Sequence, residues 1–161
     1  MKIIPNYLKY SIFKKIQDIV FSSYFPLYYN PNVGKKDDNS DFMFTHIFYE
    51  NEKNNSDFTD LIIKPILEQL KPKTLLRAKL NCYTKKDKPI YTKFHKDYPI
   101  SHKAALFSLN TCNGFTYFKS SKNKIKSIEN QMLIFNGEKE HCSVNQTDQN
   151  LRLNININYI V

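Results

Sequence analysis

The 161-residue chain has no tryptophan, 3 glycines and 3 cysteines. The cysteines, Cys82, Cys112 and Cys142, are far apart and form no CxxC pair. That spacing argues against zinc ribbons and a disulfide framework and fits free thiols in a reducing cytosol. No run of roughly 18 apolar residues occurs, so no segment is expected to span a membrane. The N-terminal stretch MKIIPNYLKYSIFKKIQDIV is amphipathic and broken by charges, unlike a secretory signal. A cytoplasmic location is therefore expected. There is also no block of like charges, no arginine-rich tail, no internal repeat and no linker.

Hydrophobic residues make up 41% of the chain, and 11 Tyr and 12 Phe replace the missing tryptophan. One domain over 1–161 is expected, long enough to bury a core without staples. The net charge is +9, from 24 Lys and Arg against 15 Asp and Glu. Such a field can steer anionic partners. Abundant Asn, Lys, Ile and Tyr beside scarce Gly also reflect an AT-rich coding sequence, so a single Lys or Asn carries little functional weight.

Along the chain, NYLKYSIFKKIQDIV places Leu8, Ile12, Ile16 and Ile19 on one helical face. Residues 30–41 read as a polar loop, and FMFTHIFYE as a strand. SDFTDLIIKPILEQL predicts a second helix, capped by Ser56 or Thr59 and facing a core with Leu61, Ile62, Ile66 and Leu70. Pro65 should kink it or delay its start. After Pro72 come short strand-like runs: TLLRAKLNCYT, PIYTKFH, KAALFSLN, GFTYFK, KIKSI, QMLIF, HCSVN and LRLNININYIV. Runs at this spacing predict a β-sandwich or barrel. The last one alternates Leu151, Leu153, Ile155 and Ile157 with Arg152, Asn154, Asn156 and Asn158. Its apolar side should pack on a helix layer, and its polar side must face water or a wet cavity.

Four residues on this framework carry chemistry. His95 and Asp97, two apart at a strand end, project to the same side. His141 opens a later strand, and Arg152 follows eleven residues on, on a strand expected to neighbour that of His141. Two imidazoles and a carboxylate suit one face of an octahedral Fe(II) and leave positions for a chelating substrate and dioxygen. Arg152 can hold a carboxylate with its fork. Phe94 is expected to pack inward behind the ligands, and Lys96 to point away. His46 and His102 are read as packing or surface residues. Cys142 and His141, adjacent on a strand, face opposite ways and make a poor nucleophilic pair. A zinc hydrolase could use the same His/His/Asp set, but has no need of Arg152.

The ordered set His95-x-Asp97, His141, Arg152 resembles the Fe(II)- and 2-oxoglutarate-dependent oxygenases, in particular their prolyl-4-hydroxylase-like branch. LFSLNTCNGFTYF and NQMLIFNGEKEHCSVN resemble that family's segments between the motifs, although Gly114 is single where many members have a pair. The resemblance covers roughly residues 74–161. It implies a mainly β, double-stranded β-helix (jelly-roll, cupin-like) core over 73–161, with 1–72 as helical and loop support. It implies iron on His95, Asp97 and His141, and 2-oxoglutarate on Arg152 with Asn81, Tyr83 and Thr116 nearby. The cofactors would be Fe(II), 2-oxoglutarate and O2, with ascorbate as an accessory reductant. The implied activity is hydroxylation of a peptidyl substrate, prolyl first, with release of succinate and CO2. Oxidation of a nucleic acid or a small anionic molecule, and a non-catalytic jelly-roll binding module, are the alternatives. Nucleobase-acting relatives usually add a base-flipping lid, and no segment here is identifiable as one. The stretches 30–41 and 85–93 are candidate loops over the site.

Overall fold

The computed structural model describes residues 1–31 and 42–161. The 30–41 loop thus lies almost wholly outside the described residues. The strands are β1 (Lys2–Ile4), β2 (Tyr28–Asn30), β3 (Met43–Glu50), β4 (Lys53–Asn54), β5 (Thr74–Thr84), β6 (Lys103–Ser108), β7 (Cys112–Phe118), β8 (Lys124–Ser127), β9 (Gln131–Asn136), β10 (His141–Val144) and β11 (Leu151–Ile160). The helices are α1 (Tyr10–Val20), α2 (Thr59–Ile62) and α3 (Lys64–Leu70). The major sheet runs β1-β9-β6-β11-β5-β3-β2, with β4 on β3, and the minor sheet runs β10-β7-β8. The pairings are antiparallel, as in a jelly-roll sandwich.

Alternation in β5 and β11 gives the major sheet two unlike faces. Ala78, Leu80 and Cys82 of β5 and Leu153, Ile155 and Ile157 of β11 are buried in the main core. Phe13 and Ile16 of α1 and Ile66 of α3 complete that core from the helix side. Phe13 sits edge-on to Phe107 of β6, with ring centroids 6.1 Å apart. The opposite face turns inward, toward the minor sheet. There a smaller cluster of Ala104, Leu133, Phe135 and Phe118 fills one end, and a polar cavity occupies the rest. The polar side of β11 therefore faces a cavity.

Several local expectations change. The first helix begins at Tyr10, so Leu8 is buried just ahead of it, and its buried stripe is Phe13, Ile16 and Val20, with Ile12 and Ile19 at the margin. The second helical stretch is broken at Ile63, with Pro65 in the first turn of α3; a ring there costs no hydrogen bond. Ser56 Oγ accepts from the Phe58 backbone N–H at 3.1 Å. Leu61, expected in the core, is 59% exposed, because Ile62, Ile63 and Ile66 take the buried side. PIYTKFH forms no strand: Tyr91 and His95 make single bridges to Val144 and His141. The first 72 residues contribute β1, β2 and β3 to the margins of the major sheet as well as helices. Asn51 and Glu52, both at positive φ (55° and 60°), form the two-residue turn joining β3 to β4, as a tight hairpin requires.

Candidate active site

His95, Asp97 and His141 converge. Their ligand atoms lie within 4.8 Å of one another. The reason is local. His95 N–H donates to the His141 carbonyl (3.0 Å), and His141 N–H donates to the His95 carbonyl (3.1 Å). This pairing sets the two rings side by side, with centroids 4.7 Å apart. His95 Nε2 lies 3.7 Å from Asp97 Oδ1. His95 Nδ1 faces the Lys93 carbonyl at 3.1 Å, and His141 Nδ1 faces the Lys139 carbonyl at 2.9 Å. A carbonyl can only accept, so each Nδ1 carries the proton and each Nε2 keeps its lone pair for a ligand.

Asp97 is almost fully buried, and β11 holds it. Asn158 Nδ2 donates to Asp97 Oδ2 at 2.8 Å and Asn156 Nδ2 at 3.1 Å. Arg77 Nη2 of β5 lies 3.6 Å from Oδ1. Burial by itself would raise the Asp97 pKa. The charges of His141 and Arg77 and the two amides outweigh it and bring the carboxyl down to about 2. Burial also lowers the His141 pKa, so that imidazole is uncharged at neutral pH and Arg77 is the lasting charge partner. Asp97 is a carboxylate at any working pH.

At the other end of the cavity lies Arg152, 2% exposed. Nη1 donates to Ser143 Oγ (2.6 Å) and to the Val144 carbonyl (3.4 Å), and Nη2 donates to Thr116 Oγ1 (3.3 Å). Its guanidinium carbon sits 5.3 Å from the Tyr83 ring centre. Among the described residues no carboxylate pairs with it, and its Nε has no partner. A buried cation without an anion is costly, and Arg152 bears that cost among the described residues. Gly114 serves this arrangement. A Cβ there would stand 2.8 Å from Arg152 Cδ, which is why a residue without a side chain occupies the crossing.

The cavity, about 340 Å³, joins both ends and is lined by all seven residues singled out in the sequence: Asn81, Tyr83, His95, Asp97, Thr116, His141 and Arg152. Tyr83 is buried and joined to Ser143 by a side-chain hydrogen bond; burial raises its pKa. Asn81 Nδ2 donates to Asn154 Oδ1 at 3.2 Å, leaving its own oxygen without a partner among the described residues. Other expectations need correcting. β11 is not the strand neighbour of β10: it lies between β6 and β5 in the major sheet, because the chain crosses sheets after Val144. Arg152 meets Ser143 and Val144 across the sandwich instead. Phe94 packs on Tyr117 of β7, 5.8 Å between centroids, where Tyr117 is itself half-exposed. Lys96 lines the cavity instead of pointing away from it.

The non-ligand histidines are packing residues. His46 lies between the Pro26 carbonyl and Ser56 Oγ. His102 fills the space over Gly137, where any Cβ would overlap its ring. Cys82, Cys112 and Cys142 are buried free thiols. Sequence reasoning did not give Arg77, Lys79 or Ser143 a role. The available signal was alternation: Arg77 and Lys79 share a strand face with Asn81 and Tyr83, and Ser143 lies two residues after His141.

No protein-family model and no curated protein matches the chain. Solved structures do match its fold, and they include prolyl hydroxylases and other 2-oxoglutarate–Fe(II) oxygenases. A Trichoplax adhaerens prolyl hydroxylase in complex with a hypoxia inducible factor oxygen degradation domain peptide aligns at TM-score 0.70 and 16% identity, covering 99% of this chain and 82% of that one. A viral collagen prolyl hydroxylase from Paramecium bursaria Chlorella virus-1, as its 2-oxoglutarate complex, aligns at TM-score 0.63 and 15% identity, covering 99% and 95%. The α-ketoglutarate-dependent epimerase SnoN from nogalamycin biosynthesis aligns at TM-score 0.66 and 14% identity, covering 98% and 76%. At these identities the likeness is one of fold, and it bears out the expected mainly β jelly-roll with helical support. Among the described residues, no helix is long and apolar enough to cross a membrane.

Proposed function

We propose that this protein is an Fe(II)- and 2-oxoglutarate-dependent dioxygenase that hydroxylates a peptidyl substrate, prolyl in the first instance, and releases succinate and CO2. One observation carries the reading: three ligand side chains converge at one end of a cavity whose other end holds a buried arginine with no anion among the described residues. The donor set fits the group. Two imidazoles and a carboxylate, with open cavity beside them, suit non-haem Fe(II). A zinc hydrolase would use the same ligands and leave Arg152 without a purpose.

In this reading His95, Asp97 and His141 hold the metal. Iron, when bound, supplies dioxygen activation coupled to oxidative decarboxylation of the co-substrate. Asn156, Asn158 and Arg77 fix the Asp97 carboxylate, and the Lys93 and Lys139 carbonyls fix the two rings. Arg152 receives the distal carboxylate of 2-oxoglutarate with a charge-assisted fork, and Ser143 and Thr116 hold that fork in place. Tyr83 and Asn81 line the path between the ends. The peptide assignment is supported by the fold shared with the peptide-bound Trichoplax enzyme. Oxidation of a small anionic molecule is the second reading, supported by the net charge of +9.

The test is succinate formation from 2-oxoglutarate with Fe(II), followed by mass spectrometry of proline-containing peptides. The expected result is succinate and a gain of one oxygen on proline, both lost in His95→Ala and His141→Ala. Absence of succinate with every divalent metal, together with no thermal shift on adding 2-oxoglutarate, would establish a binding module in its place.

A further inference from the structure

Four cationic side chains line the cavity, Arg77, Lys79, Lys96 and Arg152, against a single carboxylate, Asp97. Two of the four already have tasks. Arg152 waits at the closed end. Arg77 is shared between Asp97 at 3.6 Å and Glu50 at 3.9 Å. Lys96 is exposed at the mouth. Lys79 differs from all three. It lies on the cavity face of β5, opposite Asn156 of β11 and so level with Asp97. Among the described residues no carboxylate lies within ion-pair distance of it and no side chain or carbonyl accepts from it. Burial, then the neighbouring Arg77 charge, bring its ammonium down to about 8 against the longer-range pull of Asp97 and Glu50, which still leaves it mainly charged at neutral pH.

Charge accounting isolates it further. A divalent metal, the Asp97 carboxylate, neutral imidazoles, a dianionic co-substrate and Arg152 cancel. Arg77 and Glu50 cancel. Lys79 is the half-buried charge left over in the loaded site. A half-buried cation lining a cavity gains from a counter-charge that enters it, and the molecule still to enter is the substrate. One ammonium on a flexible stem matches a single carboxylate. A phosphomonoester carries close to two negative charges at neutral pH and would need a second cation, and the nearest, Arg77, is occupied.

We propose that Lys79 binds a carboxylate of the substrate beside the oxidised carbon, so that the substrate is an acidic peptide with Asp or Glu next to the hydroxylated residue. This rests on the oxygenase reading. The experiment uses full-length protein loaded with Mn(II) and 2-oxoglutarate without oxygen. Fluorescent proline peptides carrying Glu, Gln, Lys or phosphoserine beside the proline are titrated by anisotropy, with a single-stranded oligonucleotide as a further probe. The wild type is expected to prefer Glu over Gln by about tenfold, the scale of a hydrogen bond to a charged group. Lys79→Met should erase that preference, and Lys79→Glu should turn it toward the Lys peptide. Both variants should keep the thermal shift that 2-oxoglutarate gives. Three results overturn the proposal: no Glu preference in the wild type or one unchanged in Lys79→Met, loss of the 2-oxoglutarate shift in Lys79→Met, or tighter binding of the phosphopeptide or oligonucleotide than of the Glu peptide. If the wild type shows no 2-oxoglutarate shift at all, the oxygenase reading itself has failed and the proposal goes with it.

Discussion

The two faces of β5 and β11 are made from the same strands and behave as opposites. Toward the helices, Leu80, Ile155 and Ile157 meet Phe107, Ile16 and Ile66 and are sealed from water. Toward the minor sheet, Arg77, Lys79, Asn81 and Tyr83 stand opposite Asn158, Asn156, Asn154 and Arg152, in that order. The first face consists of interchangeable apolar volume. The second is a row of individually placed polar groups, several with an unmet hydrogen-bond or charge requirement among the described residues. Stability resides in the first, and the capacity to bind in the second. A polar ladder this buried is destabilising unless ligands complete it.

Four substitutions probe that division, the largest expected effect first. On the polar side, Asp97→Ala should reduce succinate formation to background while the apo protein stays folded, read by activity and circular dichroism together. On the apolar side, Phe107→Ala should cost about 3–5 kcal/mol in urea unfolding. Asn154→Ala, on the neighbouring strand but facing the cavity, should cost less than about 2 kcal/mol. Equal losses for these two would dissolve the distinction between the faces. Gly114→Ala places a methyl against Arg152 and should cost about 1–3 kcal/mol, with a larger proportional loss in 2-oxoglutarate affinity by calorimetry; unchanged affinity would mean that Arg152 does not need that path.

The last test is a pH dependence. Asp97 is lowered from its ordinary 3.8 to about 2. A lowered carboxyl contributes stability above its unfolded pKa and loses it as pH falls through the folded one. The metal-free protein should therefore lose at most about 2 kcal/mol through this group between about pH 5 and pH 2. Asp97→Asn should flatten that part of the urea-stability profile; a profile unchanged by the substitution would show that the carboxyl is not held down in the metal-free fold.

Much of this was legible in the chain. The alternation of β11 encodes both of its faces, and the ordered set His95, Asp97, His141 and Arg152 names residues that the fold brings to one cavity. What could not be read was relational. Periodicity describes one strand and not its neighbour, so β11 was placed beside β10, when the turn after Val144 carries the chain to the other sheet. Leu61 fits a helical stripe as well as Ile62 does, and only the break at Ile63 decides which is buried. Lys79 looked like one lysine in a lysine-rich chain. Its significance comes from having no partner among the described residues in a cavity, which composition does not reveal. PIYTKFH has the residues of a strand, but its pairing with the minor sheet is broken into single bridges at Tyr91 and His95.

The central claim is that one cavity holds a metal at one end and a dicarboxylate at the other. Its most direct test is the thermal shift of the protein with 2-oxoglutarate, with and without Mn(II), in wild type and Arg152→Ala. The expected result is stabilisation by 2-oxoglutarate that depends on Mn(II) in the wild type and is lost in Arg152→Ala, while the shift from Mn(II) alone persists in both. Equal stabilisation of both proteins by 2-oxoglutarate, or none in either, would contradict it.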